Sequence, residues 1–168
     1  PGHSAILGNL KLTNGLGVDS IYVNDTHVGK SVTVNNGRVA NDGDYAGYVE
    51  IYNDYNTTSR SIIGGNVTVA WENGSVSYDG IWDTEVFGDV SFTYGPGKGE
   101  LWFDGFSVNQ PTVIHGNLTV KAPQQLELLV ANQGYQDTGL EVGGNVKIIG
   151  GSEDDRALVR GLSVAGKT

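Results

Sequence analysis

The sequence predicts an all-β fold, a parallel β-solenoid of about six irregular rungs built as a single domain over residues 1–168, on three observations. A four-position pattern recurs six times, each copy is followed by a second alternating apolar run, and no stretch carries a convincing 3.6-residue helical period.

The recurring unit is anchored on Leu10, Val32, Val67, Val90, Leu118 and Val146, spaced by 22, 35, 23, 28 and 28 residues. Four residues before each anchor stand Ile6, Val28, Ile63, Val86, Ile114 and Val142, all β-branched. Two residues after each stand Leu12, Val34, Val69, Phe92, Val120 and Ile148, with Lys, Thr or Ser between. Apolar and polar residues in alternation mark a strand buried on one face.

Just before the anchor come Asn9, Ser31, Asn66, Asp89, Asn117 and Asn145, and before those a glycine in five units and Lys30 in the other. Gly and Asn tolerate left-handed backbone, so the pair predicts a tight corner between two short strands.

The second runs are Ile21 with Val23, Val49 with Ile51, Val76 with Tyr78, Leu101 with Phe103, Leu128 with Val130, and a weaker one around Leu158. Most end in Asn, Asp or Gly and so close in a turn. Only Pro123 to Ala131 approaches a helical period, and its Gly-flanked, β-branched context favours strand. The 35-residue spacing after Val32 assigns a longer loop to the second rung, within Asn35 to Tyr48, around Asn53 to Ser61, or both. Gly161 to Gly166 repeats the pattern of Gly139 to Gly144, as if a seventh rung were starting. An antiparallel β-sandwich is the alternative architecture, since it too yields short strands at regular intervals. It is disfavoured because the same corner recurs at the same place in every unit.

Composition narrows the function classes. Ten Lys and Arg against 19 Asp and Glu give a net charge of −9, which argues against nucleic acid as a partner. No apolar run exceeds five residues, so these 168 residues hold no membrane-spanning helix. The lack of cysteine removes disulfides and thiolate metal sites.

The segments Val113 to Val120 (VIHGNLTV), Ile63 to Val69 (IGGNVTV) and Val142 to Ile148 (VGGNVKI) resemble the GGNLTV-like repeats of large secreted or surface-attached bacterial β-solenoid proteins. That resemblance implies an extracellular or cell-surface structural or adhesive role and brings no catalytic residues. The Gly-Asn corner also resembles the short Asn-containing turn of pectate-lyase-like β-helices, which use acidic residues, often with calcium. No comparable cluster stands out in this sequence.

Candidate sites are few. Asp42 and Asp44, and Asp154 with Asp155, lie in oxygen-rich turns suited to calcium, a hard cation. His3, His27 and His115 lack zinc-site spacing and read as surface or turn residues. Of five Asn-x-Ser/Thr sequons, Asn56 and Asn73 fall in expected loops and are the better glycan acceptors. Tyr22 and Trp102 alternate with core positions and so face outward, while Trp71 and Trp82 lie near loops; exposed, these four would form a platform for sugar rings or a protein interface.

The resulting expectation is a non-enzymatic extracellular structural or adhesive module, a filament or surface-layer subunit assembling through its ends. Its partners would be copies of itself or neighbouring rungs, with glycans as a second class, and it would need no cofactor apart from the calcium named above. The rival readings are a carbohydrate-binding or polysaccharide-degrading β-helix and a pilus-like β-sandwich subunit completed by a donated strand.

Overall fold

A computed structural model describes residues 4–42, 44–53, 60–76, 79–103, 111–130, 139–159 and 161–166. Three sheets run along a rod, and among the described residues every strand pair is parallel. The first sheet stacks Ser4–Ile6, Thr26–Val28, Ser61–Ile63, Thr84–Val86, Thr112–Ile114, Leu140–Val142 and Leu162–Val164. The second stacks Leu10–Thr13, Val32–Asn36, Val67–Trp71, Val90–Thr93, Leu118–Lys121 and Val146–Ile149. The third stacks Asp19–Asn24, Tyr45–Tyr52, Asp79–Ile81, Lys98–Phe103, Gln125–Val130 and Arg156–Val159. Six rungs in parallel register make a β-solenoid. The antiparallel sandwich is therefore excluded, and the pilus-like sandwich subunit with it.

The register follows the repeat. The six anchors form one column, and the β-branched residues four positions earlier form another, from Ile6 to Val142 and on to Val164. Middle rungs alternate buried and half-buried residues along each strand, and Val32, Val67, Ile63, Val86, Ile114 and Val120 are inaccessible. Each such side chain contributes about 1.5–3 kcal/mol by leaving water. Phe92 packs edge-on to Phe103 and stacks with Tyr94 to fill the axis.

The corner before the anchor departs from expectation in its cause. None of its glycines has a positive φ. Instead the corner side chains form a ladder: Ser31 N–H donates to Asn9, Asn66 N–H to Ser31, Asp89 N–H to Asn66, Asn117 N–H to Asp89 and Asn145 N–H to Asn117, at 2.7–3.1 Å. A Cβ at Gly116 would lie 2.5 Å from the Asp89 carboxylate and 2.6 Å from the Gly88 carbonyl. At Gly88, Gly116 and Gly144 glycine is required by close approach between rungs, whereas Gly8 on the first rung has open space. Left-handed backbone occurs at the opposite corner, at Asp25 and Asp83.

At that opposite corner, where the third sheet turns into the next rung, stand the buried hydroxyls of Thr26, Ser61, Thr84 and Thr112. Thr26 donates to the Asn24 carbonyl, Ser61 to Tyr52, Thr84 to Trp82 and Ile51, and Thr112 to Ile81. Leu140 and Leu162 continue the column without a hydroxyl.

The second rung carries both extra segments, one between Asn36 and Tyr45 and one between Tyr52 and Ser61. In the third rung the second run is displaced from its expected place. Ser75–Val76 pairs with Tyr45 and Gly47 of the rung below, and Asp79–Ile81 takes the place in the sheet expected for Val76 and Tyr78. Tyr78 lies outside the described residues. The displacement puts a carboxylate, Asp79, into an inward column otherwise made of Ile21, Val49, Leu101, Leu128 and Ala157.

Candidate functional site

The outer face of the third sheet concentrates the aromatic and charged side chains. One outward column reads Tyr22, Glu50, Gly80 and Trp102 along the rod, and position 129 and then Leu158 follow it in register. The adjacent column holds Ser20 beside Tyr48, and further along Glu100, Glu127 and Arg156. Tyr22 and Trp102 thus share a face, because both sit between inward residues in strands of matching register. Tyr22 is 55% exposed and Trp102 half-buried.

Local geometry fixes these groups. Tyr22 and Tyr48 meet edge to face with centroids 5.4 Å apart and their hydroxyls in contact, which pushes the Tyr22 phenol up to about 12. The Trp102 indole N–H donates to Glu100 Oε1 at 2.8 Å, setting the plane of the ring. Lys98 Nζ bridges Glu100 at 3.0 Å and Glu127 at 2.8 Å, and Arg156 reaches Glu127 at 3.3 Å. The Lys98 contact holds the Glu127 carboxyl below its usual range and raises the ammonium in turn. Burial alone raises Glu50, which stands between Tyr22 and Gly80.

Trp82 lies on this face but is not exposed. Its ring stacks on Tyr52 with centroids 5.2 Å apart and lies over Gly80, where a Cβ would come within 2.0 Å of Cζ3. At 4% exposure it is floor and offers no platform, which corrects the expectation from its loop-like surroundings. Trp71 is corrected as well. It continues the inward alternation of Val67 and Val69, is 3% exposed, and turns its indole to Asp79.

Asp79 is fully buried. Its Oδ1 accepts from Val49 N–H at 2.7 Å and its Oδ2 from Trp71 Nε1 at 2.8 Å. The Tyr94 hydroxyl approaches the same carboxyl without completing a bond of good geometry. Burial lifts Asp79 to about 7 despite these donors.

The acidic turns are occupied by amides. Asp44 Oδ2 accepts from the backbone and side chain of Asn41, and Asp42 Oδ1 accepts from Asn73 Nδ2 at 2.8 Å. Asp155 caps Leu126 N–H at 2.8 Å and Gly151 N–H at 3.1 Å, while Asp154 offers its carbonyl to Gln125. Among the described residues no three His, Cys, Asp or Glu side chains gather as a metal site. Asn73 is 4% exposed, with its amide spent on Val39 and Asp42, so the expected glycan acceptor is a loop strap. Asn56 lies outside the described residues. His115 pairs with Glu85 at 2.8 Å and stacks on Phe87 on the first sheet.

The sequence reading missed Tyr48, Glu50, Lys98, Glu100 and Glu127. A signal was present for three of them, because Lys98, Glu100 and Trp102 alternate outward and Glu127 falls opposite Glu100 one unit later. No protein-family model, no curated protein and no solved structure matches this chain.

Proposed function

We propose that the chain is a non-enzymatic structural or adhesive module of the extracellular or cell-surface space, a rigid rod that works through its outer faces and extends by stacking. The observation that carries this reading is the continuity of the inward columns. They fill the axis through the middle rungs and reach both ends with Ile6, Leu10, Leu12 and Ile21 on one side and Val146 and Leu162 on the other only partly covered. A further rung placed on either end, whether from a second copy or from the same polypeptide, would continue the columns and pair the strand edges, removing apolar surface from water.

Electron microscopy with light scattering over a concentration series tests this. The expected result is short rods that lengthen with concentration by a regular rise. Particles of fixed size up to millimolar concentration would remove end-to-end stacking from the proposal.

A further inference from the structure

The third sheet's outer face combines aromatic rings with a network of carboxylates and cations that spans several rungs. We infer that it binds an uncharged, extended polysaccharide lying parallel to the rod axis, across the rungs that carry Tyr22, Tyr48, Glu50, Glu100 and Trp102. This rests on the adhesive reading above and names the face and ligand class through which it would act.

Three features point to a saccharide. The first is aromatic spacing along the axis: Tyr22 on the first rung, Tyr48 on the second and Trp102 on the fourth. Rungs lie about 4.8 Å apart, so Tyr22 and Trp102 stand about 14 Å from one another, the length of roughly three sugar rings in an extended chain. Aromatic rings present an apolar face with a polar edge and suit the apolar faces of such rings.

The second is hydrogen-bonding capacity within reach of those rings. Glu50 stands in the same column, and Glu100, Lys98 and Glu127 form a cross-rung network beside Trp102. Each oxygen of Glu100 and Glu127 already accepts one bond in this network and keeps a second lone pair for a hydroxyl, while Lys98 spends two of its three hydrogens on these carboxylates. The Trp102–Glu100 bond holds the ring before any ligand arrives, which lowers the ordering cost of binding.

The third is charge. Glu50, Glu100 and Glu127 outweigh Lys98 and Arg156 on this face, and the chain as a whole carries −9. A polyanionic saccharide is repelled, whereas a neutral one meets only hydroxyl acceptors and donors.

The test is calorimetric titration of the full chain with cellohexaose and chitohexaose as neutral probes and hexagalacturonate as the anionic one, with product analysis of the incubated sugars. At least one neutral probe is expected to bind, hexagalacturonate at least tenfold more weakly, and the sugars to stay intact. Trp102→Phe should weaken binding less than Trp102→Ala, and Tyr22→Ala, at an exposed position, should weaken it several-fold with an unchanged circular dichroism spectrum. Phe87→Ala, on the first sheet, should leave it unchanged.

No binding of either neutral probe, equal affinity in Tyr22→Ala and Trp102→Ala, or a preference for hexagalacturonate overturns the site and leaves the rod reading standing. Shortened sugars would instead uphold binding and overturn the non-enzymatic reading.

Discussion

The Trp71 indole donates to the Asp79 carboxylate at 2.8 Å inside the rod, with both residues drawn from one irregular rung. Where the neighbouring rungs place Val49 and Leu101, this rung places a carboxyl held by an indole and by the Val49 amide. An unpaired buried charge costs several kcal/mol, so such a carboxyl is stable only with partners or with a proton.

The proton sets the pH dependence. Asp79 titrates at about 7 in the rod, against the ordinary 3.8 of an exposed aspartate. Between those values the folded chain binds one proton more than the unfolded chain, so stability falls as pH rises from about 4 to about 7, by up to about 4 kcal/mol, and levels off above. In Asp79→Asn the side chain stays neutral and that decline disappears. The variant loses about 1–3 kcal/mol at low pH, because one of the two donors meets an NH2 group. Urea titrations of both proteins between pH 5 and 8 check this; parallel profiles would refute it.

Two corner glycines differ in what an added methyl group meets. At Gly116 it is within 2.7 Å of the Asp89 carboxylate and the Gly88 backbone, and at Gly8 it meets nothing within 4 Å. Gly116→Ala forces two rungs apart and breaks the Asp89–Asn117 step of the ladder, for a loss of about 2–4 kcal/mol. Gly8→Ala should change stability by less than about 0.5 kcal/mol. Melting temperatures of the pair decide it, and equal losses would mean that backbone conformation, not close approach, selects glycine.

The columns were legible in the sequence because period-two alternation and a fixed corner survive variation in loop length. Leu10 and Val146 share a column although 136 positions separate them. What was illegible is the rung whose second strand slipped. Val76 and Tyr78 alternate as well as any neighbouring pair, yet the strand is Asp79–Ile81, since Gly80 leaves room for the Trp82 ring and Trp71 supplies Asp79 with a donor. The Trp71 donor comes from another strand, and the Trp82 ring folds back over Gly80 two positions earlier; a period-two pattern carries neither. The same holds for Trp71, where the loop-like Glu72-Asn73-Gly74 that follows outweighed the inward alternation preceding it.

Asn73 straps the long second-rung loop. Its Oδ1 accepts from Val39 N–H at 3.0 Å, and its Nδ2 donates to Asp42 at 2.8 Å and to the Val39 carbonyl at 3.4 Å. Asn73→Ala leaves the Val39 amide without its acceptor, a loss of about 1–2 kcal/mol. Amide exchange should accelerate at Val39, with the middle-rung Val90 unchanged. Uniform acceleration at both would show that the loop is part of the cooperative core.

The buried hydroxyl column makes a prediction with its own internal control. Thr84 Oγ1 donates to the Trp82 carbonyl at 2.9 Å and lies 3.3 Å from that of Ile51, so it ties the end of one rung to the start of the next. Valine has the same shape and no donor. Thr84→Val leaves these carbonyls without that donor in a buried place and should cost about 1–2 kcal/mol, although burying a methyl group in place of the hydroxyl favours the variant. In the fifth rung Thr112 Oγ1 donates to the Ile81 carbonyl at 3.3 Å, so Thr112→Val should lose stability for the same reason. In the sixth rung Leu140 occupies the column with no hydroxyl at all and remains inaccessible. Chemical denaturation of the two valine variants checks this. Unchanged stability in both would show that this corner is held by packing of the column and not by its hydrogen bonds.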